Sequence, residues 1–178
     1  MNNNFEELLP EITMITNEKI RSGVKSAIRD ALNYGWSDLS TIPFINSWQP
    51  EVDTGLSLID HTRLVTKLMI AMAKELGEKG FTVNLDELIA AGILHDMGLL
   101  IEFEQKDNTI VQRWNKRLIR HPHWGMYLAQ RNDLPISVVH AVAVHSKEGD
   151  FIERNRIAGI LYHADWLVFG ITTGVFQG

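Results

Sequence analysis

Residues Leu88 to Leu100 read LIAAGILHDMGLL, and the His-Asp pair inside that run constrains the fold more than any other feature. A helix that is apolar on every side belongs at the centre of a bundle. An ionised carboxylate in such a place is costly unless a charged group compensates it. The segment holds no lysine or arginine. Whatever balances Asp96 must therefore come from elsewhere in the fold.

The rest of the chain is patterned to build that bundle. Apolar residues recur with helical spacing almost throughout, and no long alternating strand pattern occurs. Asn17 suits the cap of a helix carrying Ile20, Val24, Ile28 and Leu32 on one face, with Gly35 as its stop. Residues 36 to 55, with Trp36, Pro43, Trp48 and Pro50, read as a long aromatic loop or lid. Further helices are expected from Leu56 to Leu76, from a capping box at Asn84 and Glu87 to about Gly98, and over residues 113 to 119. Pro122 suits the start of a helix ending at Arg131, and Pro135 one ending near His145. The last is expected from Arg154 to Phe169, with residues 101 to 112 as a polar connection. The expected fold class is all-α, with no sheet needed.

Composition narrows the chemistry. The chain has no cysteine, which excludes thiolate metal sites and leaves His, Asp, Glu and other oxygen donors. Its 178 residues suffice for one domain with a sizeable core, and its net charge of -5 argues against a nucleic-acid-coating role. The opening residues MNNNFEELLP do not resemble a secretory signal, and no apolar run suits a membrane span. A cytoplasmic protein is the expectation.

The polar exceptions within the apolar helices fall into a set. At about 100° per residue, His61 shares an arc with Leu58, Val65, Leu68, Met69, Met72 and Leu76, while Arg63, Lys67 and Lys74 lie opposite. Asp165 lies in IAGILYHADWLVFG, and His140 and His145 in PISVVHAVAVH. Separate ordinary partners would satisfy each group singly. A divalent metal satisfies them together and keeps both aspartates ionised, so it is the stronger account.

The order His61, His95-Asp96, Asp165 resembles the HD-domain superfamily of metal-dependent phosphohydrolases, an all-helical family named for its adjacent His-Asp pair. The resemblance covers roughly residues 56 to 170. RHPHWGMYLA is similar to the family's HPxxG segment and AVAVHSKEG to the segment bearing the next metal histidine. That similarity implies the two-metal form, with His61, His95, Asp96, His121, His145 and Asp165 as ligands and Asp96 as a bridge. His95 and Asp96 would also be the catalytic pair. The implied cofactors are two divalent ions from among Fe, Mn, Co, Ni and Zn. The implied architecture is a helical bundle of the HD-domain type over residues 56 to 178, with N-terminal helices and the aromatic loop of residues 1 to 55 packed on it.

Three histidines fall outside this set. His123 points elsewhere if Pro122 starts a helix, His140 lies about 140° from His145, and His163 lies about 200° from Asp165. A core or supporting position is expected for each.

The resemblance implies hydrolysis of a phosphoester of a small metabolite or nucleotide by a metal-activated hydroxide. Arg63, Lys67, Arg117 and Arg120 are the candidate contacts for a substrate anion, although the first two face away from the apolar arc. Two departures bear on the substrate. Leu99 stands where many relatives carry a lysine after HD-x-Gly, and no Gly-Tyr-Pro signature follows His145. Glu102 and Glu104 read as exposed glutamates. The missing lysine strengthens an alternative, a di-iron HD-fold oxygenase that cleaves a C–H or C–C bond with dioxygen. A non-catalytic sensor module is the third reading. The expected partner is a small-molecule substrate, without nucleic acid or membrane, and homodimerisation is left open.

Overall fold

The structure, a computed structural model, describes residues 4–45, 54–107, 109–113 and 118–176. Its architecture is mostly helical. Short α1 (Phe5–Leu8) and a 3-10 turn (Pro10–Met14) lead into α2 (Glu18–Leu32). Then follow α3 (Leu58–Gly77), α4 (Leu85–Leu94), the short α5 (Leu99–Glu102), strands β1 (Phe103–Lys106) and β2 (Thr109–Gln112), α6 (His121–Arg131), α7 (Ile136–Ala143) and α8 (Arg156–Thr172). Among the described residues no helix is long and apolar enough to cross a membrane.

Local chemistry sets the helix starts. The Asn17 side chain accepts from the backbone N–H groups of Lys19 and Ile20, and the apolar face of α2 is buried as its spacing requires. Ser57 and Asp60 form a reciprocal capping box, so α3 begins at Leu58 rather than Leu56. Of the arc expected on α3, Leu58, Val65 and Met69 are buried, while Leu76 at the frayed end is exposed. Asn155 caps α8 through Ala158 N, moving its start to Arg156, and the helix continues past Phe169 to Thr172.

Every residue of α4 from Leu88 to Leu94 is buried, which puts this helix at the centre as its sequence requires. It packs against α2, α3, α7 and α8. The Asp86 carboxylate accepts from the backbone N–H groups of Thr16 and Asn17, both at 2.9 Å, which ties the N-terminal segment to the start of α4. Leu9, Ile12 and Ile15 are fully buried in the same core.

Three segments differ from the expected helices. The helix through His95 stops at Leu94, and the chain tightens through Met97 N to Leu94 O and Leu99 N to Asp96 O bonds before α5. The cause is a crossing: a Cβ on Gly98 would lie 2.0 Å from the His121 carbonyl oxygen, so the start of α6 runs against this turn. Residues 101 to 112 contain an antiparallel hairpin instead of a plain connection, pairing Phe103 with Gln112 and Lys106 with Thr109. The β-branched Thr109, Ile110 and Val111 favour the strand, and Asp107 turns the chain at φ 48°. The helix before His145 ends early, at Ala143. Residues 114 to 117, most of the helix expected over 113 to 119, lie outside the described residues, as do Trp48 and Pro50.

Candidate metal centre

Three helices and two turns deliver the site. His61 projects from the first turn of α3, His95 and Asp96 from the tight turn after α4, His121 from the start of α6, His145 from the turn after α7, and Asp165 from α8. All are buried except Asp165, whose side chain is partly exposed. Glycines permit the approach. A Cβ on Gly92 would lie 2.8 Å from Thr66 Oγ1 of α3, which shows how closely α3 and α4 cross.

The six side chains form two groups that share one residue. His61, His95, Asp96 and Asp165 converge in one, and Asp96, His121 and His145 in the other, each with its donor atoms within 4.8 Å of one another. Asp96 Oδ2 lies 3.3 Å from both His61 Nε2 and His95 Nε2. Asp96 Oδ1 lies 3.4 Å from His121 Nε2 and 3.6 Å from His145 Nε2. Each carboxylate oxygen thus faces one group. Asp165 Oδ1 completes the first, 3.1 Å from His61 Nε2.

Supporting contacts fix which ring nitrogen faces inward. His95 Nδ1 donates to Gly92 O and His145 Nδ1 to Val142 O, both at 2.7 Å. A carbonyl only accepts, so these Nδ1 atoms carry hydrogen and the Nε2 atoms present lone pairs. Phe44 stacks on His61 with ring centroids 3.8 Å apart. Lone pairs of several imidazoles meet carboxylate oxygens at close range, a donor set suited to a divalent cation. The electrostatics agree. Burial pushes His61 down, but its bonds to Asp165 and Asp96 more than offset this and hold it near 9. Burial likewise opposes ionisation of Asp96, yet His95, His145 and His61 hold it well below the usual carboxylate range. Two carboxylates among four imidazoles make this a pocket that favours positive charge.

Glu102 is a functional residue that the sequence hid. It is fully buried rather than exposed. Its carboxylate accepts from His121 N at 2.7 Å and Gln112 Nε2 at 2.8 Å, and its Oε2 lies 3.6 Å from His121 Nδ1. Burial pushes this carboxyl up, and His121, Arg120 and Gln112 more than compensate, so it stays ionised. Its position just before the hairpin, rather than any motif, removes it from water. Glu104 is the solvated one, paired with Arg113 at 3.0 Å.

A cavity of about 370 Å³ opens over the cluster. Asp96, His121, His145 and Asp165 lie along it, as do Leu99, Lys147 and Asp150. Tyr162, Trp166 and Phe169 also line it. With Asp165 they lie at helical spacing on one face of α8, a pattern readable as plain core until the cavity is seen.

None of the expected anion contacts that the structure describes lines this cavity. Arg63 Nε lies 3.2 Å and Lys67 Nζ 3.9 Å from Glu11 Oε1, on the far side of α3. Arg120 Nε lies 3.6 Å from Glu102 and 3.4 Å from Glu148, so it braces the site from behind. Arg117 lies outside the described residues. His123 and His163 are on the surface, not in the core. His140 is half-buried and accepts from Asn155 N at 3.4 Å, which supports the start of α8.

Comparison with known proteins agrees with this geometry. The model of the HD domain matches residues 58–169. The chain therefore belongs to the HD-domain family, whose enzymes are metal-dependent phosphohydrolases. It is 28% identical to the dihydroneopterin 2′,3′-cyclic phosphate phosphodiesterase of Methanocaldococcus jannaschii, over 90% of this chain and 67% of that protein. It is 27% identical to Ribonuclease Y of Mycoplasma capricolum and of Mycoplasma mycoides, over 75% of this chain. The match spans only 23% and 27% of those two ribonucleases. No solved structure matches at comparable significance. A hydrolase with a metal-binding His/Asp cluster is the class that fold, site and relatives define.

Proposed function

We propose that the protein hydrolyses a small phosphodiester, of the cyclic phosphate type, with the help of divalent cations that Asp96 and its neighbouring histidines would hold. The observation that carries this reading is the division of the Asp96 carboxylate, with Oδ2 facing one histidine group and Oδ1 the other. His61, His95 and Asp165 would complete the first cation site, and His121 and His145 the second. Cations there supply Lewis acidity toward phosphoryl oxygens and a nucleophilic water at neutral pH.

The chain's own residues do the rest. Gly92 and Val142 carbonyls keep the lone pairs of His95 and His145 turned inward, and Glu102 holds the His121 backbone. The α8 face of Tyr162, Trp166 and Phe169 gives the cavity a wall suited to a planar ring attached to the phosphate. A concave cavity of this size suits a small molecule. The cyclic phosphate phosphodiesterase from Methanocaldococcus jannaschii supports the choice of substrate class. The oxygenase alternative uses the same donors, and the phosphodiesterase relatives favour hydrolysis over it.

The test is turnover by Mn²⁺-loaded protein of 2′,3′-cyclic nucleotides, bis(p-nitrophenyl) phosphate and single-stranded RNA, with Asp96→Asn as control. Release of monoester from the small diesters, absent in the control, is expected. Iron-loaded protein that consumes dioxygen with a substrate and hydrolyses none of the diesters would overturn the reading.

A further inference from the structure

The cavity raises a charge problem that its known donors do not solve. Asp96, Asp150 and Asp165 line it, and an incoming phosphodiester is an anion. Bound cations would engage the oxygens that face the cluster. The oxygen turned toward the mouth needs a donor of its own, because an anion held without a paired charge or hydrogen bond is poorly bound in a low-dielectric cleft. Leu99 on one wall supplies neither.

We infer that Lys147 is the substrate-anion contact of this site, its ammonium taking the phosphate oxygen that faces the mouth; this rests on the phosphodiesterase reading above. Among the described residues, Lys147 is the one lysine or arginine that lines the cavity. It follows His145 by two positions, and two residues span at most about 7 Å. The 3-10 turn Lys147–Gly149 begins with it, just after a histidine of the metal cluster. A Cβ on Gly149 would lie 2.5 Å from Val144 O, so this turn folds tightly back on the end of α7. Arg154 fastens the same segment, donating to Val144 O at 2.9 Å and Ser146 O at 3.1 Å. Arg154 also engages Asp150 at 3.0 Å, so the carboxylate at the rim is already paired with a cation of its own. The lysine thus stands on a braced turn rather than on a loose loop.

Arg63 and Lys67 pair with Glu11, and Arg120 with Glu102 and Glu148, so none of these three expected contacts turns to the cavity. A lysine on the turn after His145 would serve the phosphate from a different segment than the turn that carries Leu99. It is also a flexible point charge, which suits an oxygen that changes position between a cyclic diester and the opened monoester.

The experiment is titration of the Mn²⁺-loaded protein with inorganic phosphate by calorimetry, beside kinetics on bis(p-nitrophenyl) phosphate. Lys147→Ala is expected to weaken phosphate binding and lower kcat/KM by about tenfold to a hundredfold, as for one charge-assisted hydrogen bond. Lys147→Arg restores most of both, and neither variant changes metal content. Lys147→Ala within twofold of wild type in phosphate affinity overturns the inference, even if the diester is hydrolysed. Wild type that binds phosphate through Lys147 but hydrolyses no diester leaves the anion contact standing and overturns the phosphodiesterase reading. Wild type that binds no phosphate overturns the anion contact, and turnover of the diester then decides the phosphodiesterase reading by itself.

Discussion

Consider Glu102→Ala. The wild-type carboxylate is buried and accepts two hydrogen bonds, from His121 N at 2.7 Å and Gln112 Nε2 at 2.8 Å. Bonds to a charged acceptor contribute about 1.5–3 kcal/mol each, so their loss costs about 3–6 kcal/mol. The cost falls where it matters most for the site, because His121 N is the first backbone donor of α6 and Glu102, rather than the N-cap residue Arg120, satisfies it. In a chain of 178 residues, where each kcal/mol shifts Tm by about 2–4 °C, a drop of about 6–24 °C is expected. Glu102→Gln keeps one oxygen for the His121 N–H and is expected to cost only about 1–3 kcal/mol. It nonetheless removes the carboxylate beside His121 Nδ1, an outer partner of the kind whose loss weakens metal binding by about tenfold to a hundredfold. Thermal denaturation and Mn²⁺ titration of both variants provide the measurements. A stability loss under about 1 kcal/mol in Glu102→Ala, the range of an exposed ion pair, would refute the reasoning.

Other outcomes follow from the same geometry. Elemental analysis should show metal lost from both groups in Asp96→Ala but from one in His121→Ala; equal loss in the two would sink the shared-carboxylate assignment. Gly98→Ala places a Cβ 2.0 Å from His121 O and 2.7 Å from Gly125 N, both backbone atoms. A cost of about 3 kcal/mol or more is expected by denaturant unfolding, and a near-neutral result would mean that α6 does not cross there. In chelator-treated protein the raised His61 pKa stabilises the fold fully below its ordinary value of 6.5, and that contribution is lost as pH rises through about 9. Asp96 and Asp165 act with opposite sign, stabilising above 3.8 and ceasing to do so as pH falls through their lowered values. Metal-free Tm should therefore decline between about pH 7 and pH 9.5, and His61→Asn should flatten that decline; an unchanged slope would contradict it.

Much of this was legible in the residues alone. An apolar run around His95-Asp96 can only be the centre of a bundle, and Leu88 to Leu94 are all buried. His61, His95, Asp96, His145 and Asp165 stand out as polar groups on otherwise apolar segments, whereas His121, in RLIRHPHWG, is marked only by the family resemblance. Helix caps such as Asn17 and Asn155 were local enough for neighbouring residues to decide them, although only Asn17 stood out by its pattern. What the sequence could not decide was set by residues far apart in the chain. Glu102 and Glu104 are two positions apart and chemically alike, yet the approach of α6 buries one and leaves the other to solvent. Arg63, Lys67 and Arg120 lie near ligands in sequence, but helix direction turns them to Glu11, Glu102 and Glu148. Nothing in the sequence marks Lys147 as a site residue, and only the closing of its turn on α7 brings it to the cavity. Burial preference is a property of each residue and its neighbours, whereas the direction a charge faces depends on which helices cross, and that is settled only when the whole chain packs.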